Sequence, residues 1–262
     1  NGALAVISET ELGVANEWVC PDVRQRMGEW QKRYLQQADV VKPLRIIAVT
    51  GTNGKTTISR LIAELISSQQ QRCAVMGTTG NGILPNLTPS THGLEQGRLN
   101  GCDIEIAVYS NLSRDHLDYH GTLEAYAEAK ARLFQFNSLK VAVINLDDAH
   151  ADLMIKSAQN NPAQPKILTY SLTQNTADYY ITDLSYSLAG ATFNLVSQQG
   201  SFAVESPLLG HFNVENLIAA LIAAEQAGFD LQALVNFVPK LIGAPGRMQV
   251  IRDDERLFVV DY

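Results

Sequence analysis

The run Ile46-Ile-Ala-Val-Thr-Gly51-Thr-Asn-Gly54-Lys55-Thr56-Thr57 constrains this chain more than any other segment. An apolar stretch, expected as a buried strand, ends at a glycine turn. Lys-Thr-Thr then opens a stripe of Ile58, Leu61, Ile62 and Leu65 at helical spacing. A strand that feeds a helix through so short a turn predicts an α/β fold. The turn also gathers backbone N–H groups and the positive end of the helix at one point, where a phosphate is stabilised. Lys55 would reach the terminal phosphates, and Thr56 would offer its hydroxyl to Mg2+. The strict GxxxxGK[ST] spacing is not met, because Val49 stands at its first glycine, leaving a shorter GTNGKT loop. The bland reading is a plain strand–helix turn with a surface lysine. Strand before, helix after and GKTT at the join favour nucleotide binding.

The rest of the chain keeps the same rhythm. Strands are expected at Leu44–Thr50, Cys73–Gly77, Ile104–Tyr109, Lys140–Asn145 and Lys166–Tyr170, followed by a meander of Tyr179–Tyr186, Thr192–Val196 and Ser201–Val204. A second helical stripe runs through Val214, Leu217, Ile218, Leu221 and Ile222. Apolar strands alternating with amphipathic helices predict a mostly parallel sheet with helices on both faces, plus a small antiparallel meander. With 46% hydrophobic and 18% charged residues the chain can build a core. A net charge of −7 argues against non-specific nucleic-acid or anionic-membrane binding. The apolar stretch Leu217–Ala224 is far short of the ~20 residues a membrane span needs. Three cysteines without a CxxC pair exclude a disulfide framework and a Cys-based zinc site, and point to a reducing, cytoplasmic setting.

Two further segments carry chemistry. Asn111-Leu-Ser-Arg-Asp115-His116-Leu-Asp118-Tyr-His120-Gly121 follows the strand Ile104–Tyr109, at the strand end where α/β sheets place their ligands. Imidazole and carboxylate together suit a divalent metal, although such a cluster alone reads more readily as a solvated turn. The helix after Gly121-Thr122 has apolar positions Leu123, Tyr126, Ala127, Leu133 and Phe134, and Lys130 falls on the same stripe. It either snorkels to water or sits there for a reason, since burial favours a neutral, reactive amine.

Taken in order, GTNGKTT, NLSRDHLDYHGTLEAYAEAKARLF, GHFNVENLIAA (Gly210–Ala220) and GRM (Gly246–Met248) resemble the Mur ligase family. The DHLDYHG form is most similar to the member that adds the third amino acid to the peptidoglycan precursor. The resemblance implies that Gly51, Thr52, Asn53, Gly54, Lys55, Thr56 and Thr57 hold the ATP phosphates. It further implies that His116 and Thr56 bind Mg2+, and that Lys130 carries a CO2-derived carbamate which binds the same metal. Lys55, His116 and Lys130 would then be the catalytic set. Asn213 and Asn216 would lie near adenine, with Arg247 and Asp261 also on the nucleotide. Ser90-Thr-His-Gly-Leu-Glu-Gln96-Gly-Arg98 is similar to the family's ExSSHGLxQxR segment, so Ser90, Gln96 and Arg98, with Asn86 and Thr88, would contact the sugar-nucleotide substrate. Implied partners are UDP-MurNAc-dipeptide and a diamino acid, either diaminopimelate or lysine, with the protein a monomer.

Spacing departs from the family at one place. Between Thr79 and Asp103 a long functional loop and a missing stretch of chain are both compatible with the residues. The resemblance favours the missing stretch near 89–91, since Asn86-Leu-Thr-Pro89 runs almost directly into Ser90, and the family's metal-binding glutamate has no counterpart. Residues 1–43 are expected to be the tail of a UDP-substrate domain and linker, with a polar helix over Asp22–Gln37. Residues 44–249 are expected to form the ATP-binding central domain, and 250–262 to begin a further domain. The alternatives are another Mur-type or folylpolyglutamate ligase, and a non-catalytic nucleotide-binding fragment.

Overall fold

The computed structural model describes residues 6–23, 26, 28–30, 32–33, 44–77, 80–84, 86–88, 102–113, 122–253 and 256–261. Two compact units are formed, one from residues 1–44 and 91–102, the other from 45–90 and 103–262. In the first, β1 (Val6–Ser8) and β2 (Glu17–Val19) pair in parallel. The Glu17 carboxylate closes the connection by accepting from Ser8 Oγ and from the N–H groups of Leu12 and Gly13. Described residues between 23 and 33 are helical, inside the expected polar helix.

The second unit is built on a seven-stranded sheet. Its strands are β3 (Ile46–Thr50), β7 (Ile104–Tyr109), β8 (Val141–Asn145), β9 (Lys166–Ser171), β10 (Tyr179–Ser187), β11 (Gly190–Ser197) and β12 (Gly200–Ser206). They lie in the order β12-β11-β10-β9-β8-β7-β3. From β3 to β10 every pairing is parallel, and β10, β11 and β12 continue as an antiparallel meander in the same sheet. The helices are α1 (Lys55–Ser68), α2 (Leu123–Ala131), α3 (Ala151–Gln159), α4 (His211–Gln226) and α5 (Leu231–Phe237). Side chains of α1, α4 and α5 join Val141 and Val143 in one large core cluster. Ala142 and Ile144, also buried, alternate to the opposite face, where α2 and α3 pack on each other and α3 meets β8 and β9. Helices therefore cover both faces, as the pattern predicts. No helix among the described residues is long and apolar enough to cross a membrane.

Two expectations are corrected. The strand read at Cys73–Gly77 does not enter the main sheet: β4 (Ala74–Gly77) pairs antiparallel with β5 (Gly80–Ile83), which pairs with β6 (Asn86–Thr88). Pairing of β4 with β5, and of β5 with β6, makes a local three-stranded sheet of its own. The strand before the phosphate loop is not buried as expected: β3 is the sheet's edge among the described residues and all five of its residues are half-buried. Near the end, β13 (Gln249–Asp253) and β14 (Arg256–Val260) form a separate hairpin.

Candidate functional site

Parallel pairing sets Thr50 beside Tyr109, so the turns that leave β3 and β7 emerge together at the carboxyl edge of the sheet. They are stitched to each other along their length. Thr52 N donates to Asn111 O (2.8 Å), Asn53 N to Asn111 Oδ1 (2.9 Å) and Ser113 N to Thr52 Oγ1 (2.9 Å). Ser110 Oγ donates to Asn53 O at 2.7 Å. Gly51 (φ +151°) and Gly54 (φ +87°) supply the backbone angles of the turn. Gly54 caps α1, which has no side-chain cap and no acidic residue in its first turn, as an anion-binding helix terminus requires.

The two lysines singled out in the sequence meet on one atom. Lys55 Nζ donates to Gly51 O (2.8 Å) and Thr52 O (2.9 Å), and Lys130 Nζ donates to the same Gly51 O at 3.0 Å. Lys130 is 8% exposed and its ammonium lies 4.0 Å from the centroid of the Tyr126 ring. Burial lowers its pKa to about 8. The helix that delivers it starts at Thr122, whose side chain accepts from Ala125 N at 3.2 Å. The site thus combines a cationic loop with a buried lysine that gives up its proton more readily than usual, chemistry that fits phosphate binding and reaction of the amine with CO2.

Asn213 and Asn216 are buried in the first turns of α4. Asn213 Nδ2 donates to Leu209 O (2.7 Å), and Asn216 Oδ1 lies where it would be 2.2 Å from a Cβ on Gly54. Asn216 is therefore brought to the phosphate loop. Arg247 and Asp261 gather at the β13–β14 hairpin, where Met248 N donates to Asp261 Oδ1 at 3.2 Å. Glu64 of α1 holds the irregular approach to that hairpin, accepting from Ile242 N at 2.8 Å. His116, Ser90, Gln96 and Arg98 lie outside the described residues. Asn86 and Thr88 are described through their backbone, as the ends of β6.

Among the described residues no group of three His, Cys, Asp or Glu could hold a metal. The Thr56 hydroxyl and Lys130, once modified, are the donors that would fit one beside the loop. Sequence reading missed Ser110, Asn145, Asp147, Asp148 and Glu215. Burial pushes the Glu215 carboxyl up to about 7, and the charges of Asp147 and Asp148 add to the effect. Asn145-Leu-Asp-Asp148 ends a strand at the ligand-bearing edge, and that was the available signal.

The profile of the Mur ligase middle domain matches residues 49–91 and 89–224. The UDP-N-acetylmuramoyl-L-alanyl-D-glutamate–2,6-diaminopimelate ligase of Pseudomonas aeruginosa is 40% identical over 250 residues, covering 84% of this chain and 50% of the relative. A solved structure of a ligase with the same name is 89% identical, with a TM-score of 0.93, and spans 100% of this chain and 59% of that one. The Mycobacterium tuberculosis folylpolyglutamate synthase complexed with ADP shares the fold, with a TM-score of 0.70 at 16% identity over 93% of this chain and 67% of that one. The chain spans about half the length of the curated relatives it matches. By profile, by identity and by fold, the chain belongs to the Mur ligase family.

Proposed function

We propose that this chain is the ATP-binding part of a ligase that adds 2,6-diaminopimelate to UDP-N-acetylmuramoyl-L-alanyl-D-glutamate during peptidoglycan precursor synthesis. The convergence of Lys55 and Lys130 on the Gly51 carbonyl carries the reading, because it joins a phosphate-binding cation to a buried amine of lowered pKa. The names of the relatives favour diaminopimelate over lysine as the incoming amino acid. In the reaction, the substrate's free carboxylate oxygen attacks the γ-phosphorus of ATP, the bond to the β-phosphate oxygen breaks, and ADP and an acyl phosphate result. The amine then attacks the acyl carbon, phosphate leaves, and the amine gives up a proton.

Two anions must approach each other in the first step, so the residues that neutralise and orient them do most of the work. The N–H groups of the Gly51–Thr57 loop and the Lys55 ammonium would cradle the β- and γ-phosphates. Asn213 and Asn216, fixed at the start of α4, would face adenine, with Arg247 and Asp261 on the same nucleotide. A magnesium ion, when bound, would screen the phosphates, and Thr56, His116 and a carbamate on Lys130 would hold it. Carbamate formation needs the neutral amine that burial favours, and it turns a cation into an oxygen-rich anion. Asn86, Thr88, Ser90, Gln96 and Arg98 would contact the sugar nucleotide. We take the protein to be a cytoplasmic monomer.

Residues absent from the chain near 89–91 fit this reading. The profile matches in two pieces that meet there, the aligned length exceeds the part of this chain it covers, and among the described residues β3 has no partner strand on its outer side. Calorimetric titration of the chain with ATP and Mg2+ tests the function. Lys55→Ala is expected to lose at least about tenfold in affinity while keeping its circular dichroism, since a charge-assisted contact is removed. In 13C-bicarbonate a carbamate resonance is expected from the native chain and not from Lys130→Ala. Native ATP affinity in a folded Lys55→Ala chain would sink the assignment.

A further inference from the structure

One largely buried carboxylate joins the carboxyl ends of β7 and β8, and the nucleotide reading gives it no role. The Asp148 side chain is 9% exposed. Its Oδ1 accepts from Tyr109 OH (2.6 Å) and His150 N (2.8 Å), and its Oδ2 accepts from Leu112 N (2.8 Å). Tyr109 is fully buried as the last residue of β7. Leu112 lies between Asn111 and Ser113, the two residues that grip Asn53 and Thr52 of the phosphate loop. Beside it, Asn145 Nδ2 donates to Ser110 O at 2.9 Å, inside the core. Hydrogen bonds at either side of the backbone of residues 110–113 therefore link the chain after β8 to the phosphate loop. The same segment continues in sequence toward His116.

We propose that Asp148 is a positioning residue for nucleotide binding: by fixing Leu112 it sets residues 111–113 at the height that holds the phosphate loop in its anion-binding form. This rests on the nucleotide reading above. Charge alone acts the other way. Removing a carboxylate near a triphosphate relieves repulsion and strengthens binding, so a loss of affinity on its removal reports lost position. Held by three donors, Asp148 resembles the outer-shell carboxylates that orient ligand-bearing groups, whose loss commonly costs ten- to a hundredfold.

The test is ATP titration, with Mg2+, of the native chain, Asp148→Ala, Tyr109→Phe and Asp178→Ala. Asp178 is the matched control: it clasps Thr169 through the backbone N–H (2.8 Å) and the hydroxyl (2.7 Å) elsewhere on the sheet. Both alanine variants are expected to unfold at lower urea. Asp148→Ala should also weaken ATP at least about tenfold, with Asp178→Ala at native affinity. Tyr109→Phe, which removes one of the three donors and keeps the carboxylate, should weaken ATP about threefold. It decides the matter if Asp148→Ala does not fold. Native affinity in Asp148→Ala or, failing that variant, in Tyr109→Phe overturns the positioning role. So does an equal loss in Asp178→Ala. Absence of ATP binding by the native chain sinks the nucleotide reading and this inference with it.

Discussion

A Cβ on residue 51 would lie 1.9 Å from Ser110 Oγ and 3.2 Å from both N and O of Asn111. Two of those three atoms are backbone, with Asn111 O already accepting from Thr52 N, and Ser110 Oγ could turn away only by giving up its bond to Asn53 O. A Cβ on residue 54 meets a different neighbour, Asn216 Oδ1 at 2.2 Å, the end of a side chain that can turn. Both glycines have positive φ, which costs an alanine about 1 kcal/mol before any clash. Gly51→Ala is therefore expected to destabilise the fold by about 3 kcal/mol, and Gly54→Ala by about 1 kcal/mol. Urea unfolding of the two variants checks the order. The reverse ranking would mean that the phosphate loop is not clamped to the end of β7.

At the scale of elements, α4 governs the packing. Residues 216–225 are all buried, and the helix meets α1, α5 and strands β7, β8 and β9. Ala219, Ala220, Ala223 and Ala224 are wholly buried among larger neighbours, leaving no room for growth. Ala220→Leu is expected to cost about 1–3 kcal/mol by overpacking, and Leu217→Ala about 2–5 kcal/mol by the cavity it opens. Urea midpoints measure both, and a stabilised Ala220→Leu would show that α4 has slack. Such a helix was easy to read, because a long apolar run with a stop at Gly228 has few alternatives. The seven-residue α5 leaves little periodicity to count, whereas α3, as long as α2, carries no residue that stands out on its apolar face as Lys130 does on α2. Gly80–Ile83 is half glycine, and its strand character comes from pairing with β4 and β6. The same division holds at the site. Lys55 and Lys130 could be picked out because a lysine after a glycine turn, or on an apolar stripe, is conspicuous by itself. Ser110, Asn145 and Asp148 are ordinary polar residues whose roles exist only once β3, β7 and β8 lie side by side.

Over the whole molecule, two ionisable groups of the second unit pull stability in opposite directions as pH changes. Glu215, raised by burial to about 7, keeps a proton that the unfolded chain loses above about 4.5. The stability it contributes is complete below that value and drains away as pH climbs to about 7. Lys130, lowered by burial to about 8, gives up a proton that the unfolded chain keeps until about 10.5. Stability is therefore regained between about 8 and 10.5. Near neutrality Lys130 is charged and Glu215 about half so, in surroundings that disfavour charge, at a cost on the order of 3 kcal/mol each. This is the range in which a bound triphosphate, or a carbamate on Lys130, would act on the same residues, and sites that bind charge commonly carry such a local penalty. In bicarbonate-free buffer the urea midpoint is expected to dip around pH 7–8. Glu215→Gln should lift it there and leave pH 4 nearly unchanged. Lys130→Met should lift it at pH 7 and lose that advantage as pH approaches about 10.5. A flat wild-type profile that neither variant alters would mean that both groups titrate as they do in water, and that the amine at position 130 has no special readiness for CO2.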